Sequence, residues 1–170
     1  MLKQELTAVR PVWATLCAFA VGALGAVAVS WAQSGPLEDL TQFPRTSLQI
    51  LHGKKKQDPR RFDVWIADTP ARQEQGFMFV RDLSADHGML FPQKKPRQMS
   101  MWMKDVFIEL DIVFIGEKGA IDQIIEHAQP LSLQRLASTK PVGAVLEIKG
   151  GEAEQLGLKV GDRVNWTAPE

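Results

Sequence analysis

The sequence contains little cysteine and carries no net charge, and each absence excludes a class of function. Its 170 residues include a single cysteine, Cys17. Lysine and arginine together number 20, as do aspartate and glutamate, so no overall field attracts the chain to nucleic acid. We find no phosphate-binding loop, zinc-ligand spacing, dinucleotide fingerprint or internal repeat. The length predicts one ordinary domain with a leader, and no motif identifies a cofactor.

The leader has the layout of a signal peptide. Lys3 and Arg10 precede an uncharged stretch whose apolar centre is Ala14–Val29. The small residues of Ser30-Trp31-Ala32 predict cleavage after Ala32. An uncleaved membrane anchor is the alternative, because about 18 mostly apolar residues are just enough to span a bilayer as a helix. Both alternatives predict that the rest of the chain is exported to the periplasm or the cell exterior.

Cleavage of the leader removes Cys17 and with it all thiol chemistry. A mature chain without cysteine forms no disulfide and offers no thiol nucleophile or thiolate metal ligand. If the leader is instead retained, contact with the membrane is expected only through this N-terminal segment.

The remaining pattern predicts a mainly β domain. We assign residues 1–32 to the signal peptide or anchor helix, 33–45 to a linker and 46–168 to the domain. Short helices are expected after Thr69-Pro70 and at Glu152–Leu156. The expected strands are Thr46–Leu51, Phe62–Ala67, Gln98–Met103, Phe107–Ile115, Ala120–Glu126, Ala144–Ile148 and Arg163–Trp166. This order favours a compact small β-barrel or sandwich-like domain with two short helices.

An ordered set of short motifs resembles the DUF192 family, also called UPF0127, between about Phe62 and Trp166. The motifs are Ala67-Asp68-Thr69-Pro70, Gln75-Gly76-Phe77-Met78-Phe79, His87-Gly88-Met89-Leu90-Phe91, Trp102-Met103-Lys104, Leu110-Asp111, Val145-Leu146-Glu147, Gly150-Gly151 and Gly161-Asp162-Arg163-Val164. The resemblance implies an exported or membrane-associated compact domain that is mostly β and has no settled biochemical activity.

Two carboxylates in apolar strands are the main candidates for a functional site. Asp111 and Glu147 each lie within an apolar run, where a carboxylate must face solvent, pair with a cation or have a raised pKa. On neighbouring strands they would share a cleft with Arg72 or Arg81 and act as an acid–base pair or bind a small cation. A structural ion pair or strand-end hydrogen bonding is the alternative.

A methionine-rich run supports a second, different hypothesis. Met99, Met101 and Met103 alternate along an expected strand, and their thioethers, with His87, suit copper(I). Residues two apart on a strand are roughly 6.6 Å apart, whereas the ligands of one metal must nearly converge. Packing in the core is the other use of these methionines.

Four functions therefore remain open from the sequence. The first is binding of a small ligand in a cleft lined by Trp102, Asp111, Glu147 and Arg72, with Arg81 as a further candidate. The second is a hydrolase that uses Asp111 and Glu147, and the third is a copper(I) chaperone. The fourth is an interaction module for a protein partner in the cell envelope, which would show a large exposed apolar patch.

Overall fold

The computed structural model describes residues 37–52 and 59–167, which belong to one compact unit. The expected leader, its cleavage site and the basic residues Lys54–Lys56 lie outside the described residues. The strands are β1 (Arg45–Leu51), β2 (Arg60–Ile66), β3 (His87–Arg97), β4 (Ser100–Met101), β5 (Leu110–Ile115), β6 (Ile121–Ala128), β7 (Leu136–Ala137), β8 (Val142–Lys149) and β9 (Arg163–Trp166). The helices are α1 (Pro70–Gln75) and α2 (Glu152–Leu156).

Seven strands form one curled sheet in the order β6-β5-β8-β3-β2-β1-β9, and β4 pairs with β7 beside it. Neighbours are antiparallel except for the parallel pair β2 and β3. At one end the two edge strands meet, because Ala120 pairs with Arg163 and the Val164 N–H donates to the Gly119 carbonyl at 2.7 Å. The sheet is therefore a half-barrel. Where its edge strands meet, they pair backbone N–H and C=O groups that a free edge would leave exposed.

The two faces of the sheet carry separate hydrophobic clusters, because side chains alternate along each strand. The inner cluster includes Leu90, Val113, Leu146 and Ile148. The outer cluster includes Met89, Phe91, Ile112, Phe114 and Val145, and the segment after α1 covers it with Phe77 and Leu83. Strands β5 and β8 are thus buried on both faces, which explains their nearly continuous apolar sequence.

Local sequence fixes the two ends of α1. The Thr69 hydroxyl accepts the Arg72 N–H at 3.3 Å, and Pro70 occupies the first helical turn, as the sequence predicts. Gly76 then ends the helix with φ +47° and ψ −132°, a conformation that an L side chain rarely adopts. This turn places the backbone of Gly76 against the outer face of the sheet.

The structure confirms the mainly β fold and both short helices but shifts several strands. The predicted strand Gln98–Met103 contains only Ser100–Met101, and Phe107–Ile115 begins at Leu110. His87 is the first residue of the long strand β3. Within the described part of the chain, no helix is long and apolar enough to cross a membrane. The assigned boundaries of leader, linker and domain stay a prediction.

Candidate functional site

A carboxyl group without a partner lies on the outer face of the sheet. Glu147 in β8 stands opposite Met89 of β3 and Ile112 of β5, so apolar side chains flank it on both sides. The residue is 4% exposed. Within residues 37–52 and 59–167 its carboxyl group has no hydrogen-bond or ion-pair partner. Burial alone raises the pKa of Glu147 to about 8, so the group is mostly a neutral acid at pH 7.

Glu147 lies at the closed end of a narrow cleft between α1 and the loop that contains Trp102. The cleft has a volume of about 20 Å³, which is room for about one water molecule. A Cβ atom added to Gly76 would lie 3.9 Å from Glu147 Oε2 and 3.5 Å from the Phe91 ring. Glycine at this position therefore leaves space above the carboxyl group that a larger residue would take.

Trp102 links this narrow cleft to a wider depression. The depression has a volume of about 440 Å³ and is lined by Ser100, Met101, Trp102, Leu133 and Arg135. Met101 and Trp102 line both spaces, and Trp102 is 44% exposed. The outer depression thus offers the Trp102 ring, the Arg135 guanidinium and the Ser100 hydroxyl. The narrow cleft offers the carboxyl group of Glu147.

The family model DUF192, described as an uncharacterized ACR, matches residues 51–166, which include every residue that lines the cleft and the depression. The chain belongs to the DUF192 family. No curated protein matches the sequence. The sequence-based resemblance is therefore confirmed at the level of the family.

Two crystal structures are similar to this DUF192 domain. A protein from Sinorhizobium meliloti 1021, named there as a candidate transcription regulator, is 34% identical with a TM-score of 0.70, over 73% of this chain and 95% of that chain. A protein of unknown function from Novosphingobium aromaticivorans DSM 12444 is 32% identical with a TM-score of 0.71, over 76% of this chain and 91% of that chain.

The other expected carboxylate of the DUF192 domain, Asp111, has a different environment. It is fully buried and accepts three backbone N–H groups, from His127 at 2.9 Å, Gly151 at 3.1 Å and Ala153 at 2.8 Å. The register of β5 and β6 shifts beside it, so that two residues of β6 stand opposite one of β5. Asp111 therefore fixes this bulge and the start of α2.

The predicted cleft shared by Asp111 and Glu147 is wrong, although their strands are neighbours. Asp111 stands opposite Ile148, and Glu147 stands opposite Ile112. Successive side chains of a strand point to opposite faces, so the two carboxyl groups lie on different sides of the sheet. The structure does not bring them together as an acid–base pair.

Arg72 lies in an ion-pair network beside the cleft rather than in it. Its guanidinium donates to Glu38 Oε2 at 2.9 Å, Asp68 Oδ1 at 2.8 Å and the Gln42 carbonyl at 3.2 Å. It also lies 5.2 Å from the centre of the Phe43 ring. These contacts tie the segment before β1 to α1.

Replacing Arg72 with alanine is expected to lower the free energy of unfolding by about 1 to 2 kcal/mol. The loss combines three hydrogen bonds to half-exposed partners, which solvent screens, with the packing on Phe43. Urea unfolding measures the loss, and Arg81→Ala is the control. An equal loss in both variants would contradict the structural role of Arg72.

The remaining predicted site residues are dispersed. Arg81 lies over the Phe107 ring at 4.5 Å. The His87 ring nitrogen is 3.0 Å from the Ala85 carbonyl, and its ring lies 5.9 Å from that of Trp65. The copper(I) candidates Met99, Met101 and Met103 are buried in the outer cluster. Among the described residues, no group of three or more His, Cys, Asp or Glu could hold a metal ion.

Sequence reasoning missed most of the cleft wall. Gly76, Lys104, Leu133 and Arg135 reach the site from segments without a clear period. One sequence feature could have indicated this part of the site. Leu131 and Leu133 are apolar residues in an otherwise polar segment that contains Pro130. Only the tertiary fold shows that this segment lies beside Trp102.

Proposed function

We propose that this chain is an extracytoplasmic domain that binds a small organic molecule at Trp102 and Glu147. The observation that carries the proposal is the carboxyl group of Glu147, which is buried in a cleft and has no partner among the residues that the structure describes. Buried polar groups are nearly always hydrogen-bonded, so one that lacks a partner and faces a cleft calls for a ligand or a water molecule. The leader predicted from the sequence supports export.

The geometry favours a ligand with an apolar body and one compact hydrogen-bond acceptor. The inner cleft admits about one small group, such as a carbonyl oxygen, and Glu147 as a neutral acid would donate its O–H to it. The body would lie on Trp102 and Leu133 in the outer depression. Arg135, whose Nε donates to the Ser100 hydroxyl at 3.0 Å, would hold an anionic or carbonyl substituent.

A panel of small aromatic amides, alcohols and carboxylates tests this proposal by NMR on the full chain. We expect binding compounds to shift the indole N–H signal of Trp102 and the amide signal of Gly76. Trp102→Ala should weaken binding at least about tenfold, because the exposed ring supplies much of the contact area. Val160→Ser, at a distant exposed site, should leave the affinity unchanged. Binding that is unaffected by Trp102→Ala and by Glu147→Gln would contradict the proposal.

A further inference from the structure

Exposed apolar side chains are concentrated in one region of the domain. Six large apolar residues are strongly exposed in the described part of the chain. Four of them form what we call the apolar patch: Phe79 at 51%, Trp102 at 44%, Leu131 at 55% and Leu133 at 70% exposure. Single exposed apolar residues are normal, whereas a cluster of them marks an interaction surface.

The apolar patch is formed by three loops, at residues 76–86, 102–109 and 129–135, and hydrogen bonds hold these loops together. The Phe79 N–H donates to the Asp105 carbonyl at 2.8 Å, and the Leu131 N–H donates to the Val106 carbonyl at 3.0 Å. The Met103 N–H donates to the Ser132 carbonyl at 3.0 Å. The four side chains therefore project from one connected set of loops.

These loops all lie at one end of the half-barrel. The loop with Trp102 leads into Leu110 at the start of β5, and the loop with Leu131 and Leu133 follows Ala128 at the end of β6. Leu110 and Ala128 are paired. The exposed residue Val160 lies at the other end, because the neighbouring Gly161 N–H donates to the carbonyl of Ile121, the first residue of β6. The patch and Val160 therefore mark opposite ends of the same strands.

Three cationic side chains lie beside the apolar patch, and the acidic residue Glu74 lines the same cleft as Trp102 and Lys104. Lys104 lies 5.3 Å from the centre of the Trp102 ring, Arg81 lies over Phe107, and Arg135 lines the depression next to Leu133. Asp82 and Asp105 are sequence neighbours of two of these cations, so the net attraction to an anionic surface is modest. Aromatic rings paired with long cationic side chains are typical of the level of the lipid headgroups.

The described chain also begins next to the patch. The Glu38 N–H donates to Gln75 Oε1 at 2.7 Å, and Gln75 precedes the turn that leads to Phe79. In the sequence, the apolar run Ala14–Val29 ends eight residues before Leu37. Eight extended residues span at most about 28 Å. In the alternative in which the leader is retained as a membrane anchor, the apolar run would therefore keep this end of the domain within about 28 Å of the bilayer.

We propose that the apolar patch docks on the surface of a lipid bilayer. The four apolar side chains then enter the boundary between headgroups and acyl chains, while Arg81, Lys104 and Arg135 remain among the headgroups. The cationic side chains beside aromatic rings, and the short stretch of chain between the apolar run Ala14–Val29 and Leu37, favour a lipid surface over a protein partner. The docking needs no occupant in the Glu147 cleft, but it uses Trp102, Leu133 and Arg135, which also line the outer depression, so the bilayer and the body of a bound ligand would compete for the same surface.

Spin labels in the full chain test the docking. With Cys17 replaced by serine, no other cysteine remains, and nitroxide labels are attached to Leu131→Cys, Leu133→Cys and the control Val160→Cys. Each label sits at a strongly exposed position, so folding is preserved, and circular dichroism verifies it. On adding vesicles of phosphatidylcholine with phosphatidylglycerol, we expect collisions with oxygen to rise and collisions with a water-soluble nickel chelate to fall severalfold at positions 131 and 133. Collisions of the label at position 160 with oxygen and with the nickel chelate should not change.

Two results would overturn the proposal. The first is that labels at 131 and 133 stay as accessible to the nickel chelate as the label at 160. The second is that they become immobile without greater exposure to oxygen, which is the result expected of a protein partner or a second copy of the chain. A ligand that still shifts the Trp102 signal in either case would leave the proposed small-molecule function standing.

Discussion

Replacing Glu147 with glutamine is expected to remove a large pH dependence of stability. In the unfolded chain the carboxyl group titrates near 4.5, whereas burial raises its pKa in the folded protein to about 8. Below pH 4.5 the group is neutral in both states, so it opposes folding least there. Between pH 4.5 and about 8 folding takes up a proton, and the free energy of unfolding falls as the pH rises.

The expected fall in the free energy of unfolding is large, because a difference in pKa between 4.5 and about 8 corresponds to about 5 kcal/mol. Glutamine stays neutral at every pH, so the variant should lack this fall. Burying the glutamine amide without a partner also lowers the free energy of unfolding, by less than the ionised carboxylate does. Near pH 9 we therefore expect the Glu147→Gln variant to be more stable than the parent by about 3 kcal/mol.

Urea unfolding from pH 4 to 9 measures this effect. The control is Glu126→Gln, which removes one negative charge from an exposed position of β6. Glu152 also has a pKa raised by burial, so a smaller slope of the same sign remains in Glu147→Gln. Parallel curves for the parent and Glu147→Gln would mean that the pKa of Glu147 is the same in the folded and unfolded protein, which would contradict the effect of burial.

Removing the carboxyl group of Asp111 is expected to be the most damaging single change. Asp111→Ala leaves the N–H groups of His127, Gly151 and Ala153 without an acceptor, the last two of them buried, and we expect the free energy of unfolding to fall by about 4 kcal/mol. Asp111→Asn keeps one acceptor oxygen for two of the three donors and should lose about 2 kcal/mol.

Hydrogen exchange separates this local role from a general loss of stability. The amides of His127, Gly151 and Ala153 should exchange faster in Asp111→Asn, while those of β1 and β2, far along the sheet, should follow the global stability. The exposed substitution Asp82→Asn is the control. Unchanged stability in Asp111→Ala would contradict the role that we assign to this carboxylate.

The sequence predicted the secondary structure better than the site, for a physical reason. Alternation, turn residues and caps are local properties, so Thr69-Pro70 marked the start of α1 correctly. The face on which a carboxylate lies depends on register. Asp111 and Glu147 look alike in sequence because both lie in strands buried on both sides, but the pairing places them on opposite faces.

The bulge beside Asp111 shows the same limit. Its polar surroundings are backbone N–H groups from β6 and α2, which leave no trace in the residue types. By contrast, one apolar neighbour of Glu147 is Ile112, which lies in a strand that the sequence did predict. The sequence could therefore offer a raised pKa as one of three alternatives for a carboxylate in an apolar strand, but it could not predict that Glu147 would show it.

A native mass spectrum of the full chain, isolated from its own cells without chelators, tests the central claim most directly. The account predicts that the parent protein carries an organic adduct, and that the double variant Trp102→Ala, Glu147→Gln isolated in the same way does not. A parent protein of bare mass, or an adduct that the double variant retains, would contradict a small-molecule site at Trp102 and Glu147.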